Sequence, residues 1–369
     1  MSDAITASPL PPLYARWMLD ALGSPIPNET RATCNECAML PQPGRPPPPV
    51  TFRADTKCCT FQPELHNFLV GGVLGDPDRG LAWAKEMLAL RMAKRVGVTP
   101  LGIRADAFAG LIYDRVVELA PESFGRMKEV RCPYYIQQGG MCGVWRHRNA
   151  ICSTWFCKYE RGGTGLTFWK TMLGLLRAAE RAASMWAVLQ LDPGPRAKTL
   201  LLFLDQRRDS AVREIVEGIP DHAYRTLWGT WFGRELEFYR EAGRLVGELT
   251  WADVRRIAGP ELTALEDIAR YTHDRQLSQA LPPGVARGPD ALFQIHPTRP
   301  DHLRVTTRAL GYDPLDLPAA ILPLIPELCG RDPVEAMREL HGSGRGELLD
   351  ETVVRKLLDY GVLVPVGDA

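Results

Sequence analysis

Apolar residues recur at three- and four-residue spacing through the middle of the chain. Phe168, Trp169, Met172, Leu175, Leu176, Ala179, Ala183 and Trp186 form one such stripe, the period of a helix that buries one face. The same pattern continues over 198–217, 221–248 and 260–275, with breaks expected at Pro193–Gly194–Pro195 and at Pro220. Upstream, 9–23 predicts a short helix with Leu13, Trp17, Met18 and Leu22 on one face, and 64–73 and 79–94 predict two more. The proline-rich stretch 41–49 must be an extended loop. Segment 132–160 shows no period and several glycines, so something other than a large core must hold it.

Beyond Pro282–Pro283–Gly284 the pattern changes. Short strands are expected at 292–295 and 303–307, helices at 319–328, 334–340 and 350–360, and a closing strand at 361–364. Asp332 before Pro333 fits a helix cap followed by proline in the first turn. The expected fold class is mainly α, in three segments. An irregular cysteine-rich, metal-nucleated domain spans 1–162, a helical region 163–285, and a small α/β winged-helix-like module 286–369. The layout of the last segment resembles the PqqD-type peptide-recognition domains. The aromatic run Trp228, Trp231, Phe232, Phe238 and Tyr239 reads as core packing.

Charge enters mainly by exclusion. The 369 residues carry 44 basic and 44 acidic side chains, so no global field draws the chain to nucleic acid or an anionic membrane. The apolar stretch 166–191 is interrupted by Lys170, Arg177, Glu180 and Arg181, which argues against a membrane span. No basic segment followed by an apolar one opens the chain, and the expected compartment is the cytoplasm. Gly162–Gly163–Thr164–Gly165 has no P-loop lysine after it and reads as a hinge.

The chemistry lies in the cysteines. Eight of nine fall at 34, 37, 58, 59, 132, 142, 152 and 157, and only Cys329 lies elsewhere. In a reducing compartment such clustering signals metal ligation rather than disulfides. Cys34-x2-Cys37 is a turn that presents two thiolates to one ion, and four thiolates complete a zinc site or hold an iron–sulfur cluster. Adjacent Cys58 and Cys59 point to opposite faces of an extended segment and so favour two centres. Thiolates around a metal leave negative charge, for which Lys57, Arg131, Arg146, Arg148, Lys158 and Arg161 are the candidate counter-cations. Trp145, Trp155 and Phe156 are candidates for a dry shell, and His66 and His147 for substitute ligands. Cys329, in an apolar helix, reads as a plain packing residue.

The string Arg131–Cys132–Pro133–Tyr134–Tyr135, then Gly140–Met141–Cys142 through Arg148, then Cys152-x3-Phe156–Cys157 resembles the YkgJ-type cysteine-cluster proteins. That family is described as a zinc- or iron-chelating domain. Over residues 34–157 the resemblance implies that all eight cysteines are ligands. Here a twenty-residue proline-rich insert separates Cys37 from Cys58, Asn149 stands where the family has proline, and Ser153 where it has arginine. Flagellin lysine N-methylases carry a similar cluster. Three roles follow as expectations. One is an iron–sulfur or zinc protein for redox or metal handling. Another is a peptide- or protein-modifying enzyme that holds its substrate through the C-terminal module. The third is a zinc-stapled interaction scaffold.

Overall fold

The structure, a computed structural model, describes residues 8–32, 34–44, 48, 50–206, 219–307 and 310–366. It is mainly helical with small antiparallel sheets. Two compact units are each assembled from separated stretches. The first comprises 1–28, 33–155 and 172–268, and the second 29–32, 156–171 and 269–369. The segment boundaries expected near 162 and 285 both fall inside the second unit.

In the first unit, helix α1 (Pro12–Leu22) begins with proline at its first position, where the missing N–H costs nothing. Its buried face is Tyr14, Ala15, Trp17, Met18 and Ala21, so Leu13 and Leu22 lie a little to one side of the expected stripe. Trp17 packs against Tyr14, Phe68 and Trp251, and its indole N–H donates to the Leu249 carbonyl at 2.9 Å.

Strand β1 (Leu65–His66) leads into α2 (Asn67–Gly75), followed by α3 (Ala82–Lys94), β2 (Val98–Thr99) and β3 (Gly102–Ile103). The three strands pair antiparallel in the order β1-β3-β2. Fully buried Asn67 ties this sheet to the long helix by donating to the Pro100 and Ser184 carbonyls, both at 2.9 Å. Next come α4 (Ala107–Leu119), the hairpin β4 (Tyr135–Ile136) and β5 (Met141–Cys142), and α5 (Ala150–Thr154). The aperiodic 132–160 stretch is thus two-residue strands, turns, a 3₁₀ turn at Trp145–His147 and one short α-helix.

Helix α6 (Gly162–Leu191) carries the predicted stripe, all of it buried except the half-buried Trp186. Gly162–Gly165 forms its first turn rather than a hinge loop; the Asp359 carbonyl packs so closely on Gly162 and Gly163 that side chains there would collide with it. After α7 (Pro195–Gln206), the helix expected to run on to 217 passes outside the described residues. The single helix expected over 221–248 is two, α8 (Asp221–Trp228) and α9 (Glu235–Gly247). The break is tethered in tertiary structure: the Trp231 indole donates to the Leu191 carbonyl and the Thr230 amide to that of Pro193. Trp228, Phe238 and Tyr239 are buried core, as their pattern predicts. The rest is α10 (Trp251–Ala258) and α11 (Pro260–Leu277). Among the described residues no helix is long and apolar enough to cross a membrane.

The second unit adds β6 (Val285–Arg287), β7 (Leu292–His296), β8 (Arg299–Thr306) and β9 (Leu315–Pro318), then α12 (Ile325–Leu328), α13 (Pro333–Gly342), α14 (Glu351–Asp359) and β10 (Leu363–Pro365). One sheet has the order β7-β8-β9, and β10 returns to pair with β6. Asp332 caps α13 through the amides of Val334 and Glu335, as its position before Pro333 predicts. Asp350 caps α14 likewise.

Glu29 is buried in this unit, accepting from the Trp169 indole and from the Glu160 amide, each at 2.6 Å. Burial outweighs both donors and pushes its pKa up to about 7. The folded chain therefore keeps this proton from about pH 4.3, where an unfolded glutamate loses it, to about 7. Across that window stability is expected to fall as pH rises, then level off. Thermal unfolding at stepped pH should show this slope, and Glu29→Gln should flatten it.

Candidate metal centre

Four short segments carry seven of the eight candidate cysteines in the first unit. Cys34 lies at a bend, and Cys37 opens a turn closed by the Leu40 amide donating to its carbonyl at 3.0 Å. Burial raises the Cys37 pKa and outweighs the amides of Met39 and Leu40, which favour its thiolate. Cys58 and Cys59 sit on a run of turns anchored by Thr56, whose hydroxyl donates to the Gly125 carbonyl at 2.8 Å. Just before them Lys57 has φ +48°, a conformation costly for a side-chain-bearing residue and found most often where surroundings enforce it. The Cys132 amide donates to the Cys59 carbonyl at 2.8 Å, joining the two halves of the cysteine pattern.

The second half repeats one device. The backbone amide two residues onward, that of Tyr134 for Cys132 and of Val144 for Cys142, favours the thiolate of each and works against the upward push of burial. Tyr135 and Cys142 face each other across the β4–β5 hairpin. Cys152 lies in α5, where the Asn149 side chain accepts from its amide at 3.0 Å. Asn149 and Ser153, the two departures from the family pattern, thus act locally: one caps α5, and the other donates to the Asn149 carbonyl at 2.7 Å.

The sulfurs of these segments act on one another. All are free thiols; the neighbouring Cys58 thiol raises the pKa of Cys34, with burial adding to the effect. Cys59 in turn feels Cys58, Cys132, Cys142 and Cys152, and burial raises its pKa. Burial pushes up Cys37, Cys132, Cys142 and Cys152. Without a metal these groups are neutral thiols at neutral pH, and a metal would have to displace their protons. Among the described residues, no three His, Cys, Asp or Glu side chains form a ready-made metal-holding group. The donor chemistry still suits a thiophilic ion, because amide donors and buried cations both stabilise thiolates.

The six candidate counter-cations separate clearly. Arg146 turns to Asp76 and Asp78, Lys158 to Asp313 and Arg161 to Asp359. Arg131 lies over the Tyr135 ring and donates to the Asp55 carbonyl. Lys57 and Arg148 remain, both buried and both in the field of the cysteine sulfurs. The histidines are committed elsewhere. His147 meets Asp76 at 3.0 Å and His66 meets Glu180 at 3.6 Å. Of the expected dry shell, Trp155 packs on Phe124, while Trp145 is 44% exposed.

Cys157 belongs to the second unit, as does its neighbour Phe156, which packs on Trp169. Cys329 donates its thiol proton to the Ile325 carbonyl at 3.3 Å, the habit of a packing cysteine at a helix end. One contributor went unrecognised in the sequence. Buried Glu180 accepts from the Tyr14 hydroxyl at 2.5 Å and from the Ala150 amide at 2.7 Å, fixing the start of the helix that carries Cys152. Its signal was its spacing: an acid four residues after Leu176 on an apolar helix face.

No family model, curated protein or solved structure matches this chain.

Proposed function

We propose that this protein holds a cysteine-ligated metal centre, iron–sulfur or zinc, as the resemblance to the YkgJ-type proteins implies. The observation that carries the reading is the convergence of the cysteine-bearing segments: the Cys132 amide donates to the Cys59 carbonyl at 2.8 Å, and the Lys57 ammonium bridges the carbonyls of Cys34 and Gly140, both at 2.7 Å. Amides and cations gathered around sulfurs ease them toward thiolate, the form a metal requires. Cys34, Cys58, Cys59 and Cys152 join Cys37, Cys132 and Cys142 as the sulfurs of the first unit, and Cys157, in the second unit, is a candidate from its sequence spacing. Bound iron–sulfur would supply one-electron chemistry, whereas zinc would supply closure of a loop-rich domain or a Lewis acid. The chain's own part is to gather thiols from four segments, shield them and stabilise their charge. Anaerobic purification with metal analysis and a visible spectrum tests this. A brown protein absorbing near 400 nm, or a colourless one containing zinc, supports the reading; a metal-free protein that takes up neither on reconstitution removes it.

A second reading, peptide or protein modification, is favoured by the C-terminal segment. There β7 is an edge strand with Leu292 64% and Ile295 75% exposed, and an open edge strand is a template for an added extended peptide. With the helices and closing strand that follow, this would make 286–369 a winged-helix-like recognition module. A peptide that co-purifies with the full chain and is lost on Ile295→Asp supports it. A chain that retains no peptide and shows no turnover with a methyl donor counts against it.

A further inference from the structure

We infer that Arg148 and Lys57 are the built-in counter-charges of the thiolate set, positioning residues that lower the free energy of the metal-bound form. The inference rests on the metal-centre reading and names the residues that tune it. A buried cation ordinarily pairs with a carboxylate, since an unpaired charge away from water is strongly disfavoured. Among the described residues neither Arg148 nor Lys57 has one.

Arg148 is 7% exposed. It donates to the carbonyls of Trp145 (3.2 Å), Cys152 (3.1 Å) and Pro9 (2.9 Å), and its guanidinium lies 3.5 Å from the centroid of the Trp145 ring. The groups of opposite potential charge acting on it are the sulfurs of Cys142, Cys152, Cys34 and Cys58. Lys57 is equally buried. Its ammonium donates to the carbonyls of Cys34 and Gly140, both at 2.7 Å, and acts on Cys34 and Cys37. Glycine suits position 140: its φ is +64°, and a Cβ there would sit 2.8 Å from the ammonium and displace it.

Each cation is therefore held by main-chain oxygens, all but that of Pro9 on the segments that carry the cysteines. That arrangement fixes its place whether or not metal is bound. With neutral thiols the two charges are uncompensated; with thiolates on a metal they are matched. The same carbonyl contacts also tie Cys34 to the 140–142 hairpin through Lys57, and α5 to the start of α1 through Arg148.

The test uses the full chain loaded anaerobically with Co²⁺, whose thiolate charge-transfer bands report on the ligands, and then challenged with excess EDTA. Arg148→Met and Lys57→Met are expected to lose cobalt at least tenfold faster than wild type, with the bands moved to longer wavelength. Arg148→Lys should stay close to wild type in both. A band shift follows from loss of a nearby positive charge and not from loosened packing alone. If Arg148→Met does not fold, Lys57→Met decides by the same two readouts. Folded neutral variants that release cobalt at the wild-type rate with unmoved bands overturn the inference and leave the metal centre standing. A wild-type chain that binds no cobalt through thiolates overturns both.

Discussion

Replacing Cys132 or Cys142 with serine is expected to weaken metal retention by roughly 100- to 1,000-fold. A structural zinc site is worth about 10–16 kcal/mol, so one ligand of four accounts for about 2.5–4 kcal/mol, at about 1.4 kcal/mol per decade. Cys132 is buried and Cys142 half-buried, and a backbone amide favours the thiolate of each, so a serine hydroxyl would inherit surroundings suited to a larger, softer anion. Metal content after chelator challenge measures the effect, and Cys329→Ser is the control. Cys329 donates within its own helical turn, and its loss should leave metal content unchanged.

Gly71→Ala is expected to destabilise the first unit by about 3 kcal/mol or more, at or beyond the upper end of ordinary overpacking. Helices α2 and α9 cross where Gly71 meets Gly243. A Cβ on Gly71 would lie 1.9 Å from the Tyr239 carbonyl oxygen and 2.8 Å from the Gly243 nitrogen. Both obstacles are main chain, so no rotamer change relieves them and the helices must separate. Separation would draw the Tyr239 hydroxyl away from the Thr99 carbonyl, which it meets at 2.8 Å. Urea unfolding measures the loss. Gly75→Ala, on the same helix with open space around it, should be neutral or slightly stabilising.

The elements that local chemistry dictates were legible in the sequence. Proline at the start of α1, Asp332 at the cap of α13 and the apolar stripe of α6 each act within one or two helical turns. The clustering of the cysteines against a cysteine-poor remainder was legible too, and seven of the eight fall in the first unit. What sequence proximity could not resolve was pairing over distance. Lys158 and Arg161 lie beside Cys157, yet they are neutralised by Asp313 and Asp359, more than 150 residues on. Arg148 and Lys57 look no different in the sequence; the carboxylates that come to Arg146, Lys158 and Arg161 do not come to them. The break between α8 and α9 was equally hidden, since its tethers are the carbonyls of Leu191 and Pro193. The two units are also interleaved, with α6 and α11 each contributing residues to both, an arrangement that composition along the chain does not announce.

The most direct measurement is X-ray absorption at the iron and zinc edges on protein purified without oxygen. An edge from one of the two metals is expected, with sulfur neighbours at about 2.3 Å that are lost in the Cys132→Ser and Cys142→Ser chains. Absence of both edges after reconstitution, or a metal surrounded only by oxygen and nitrogen, would contradict a thiolate-held centre.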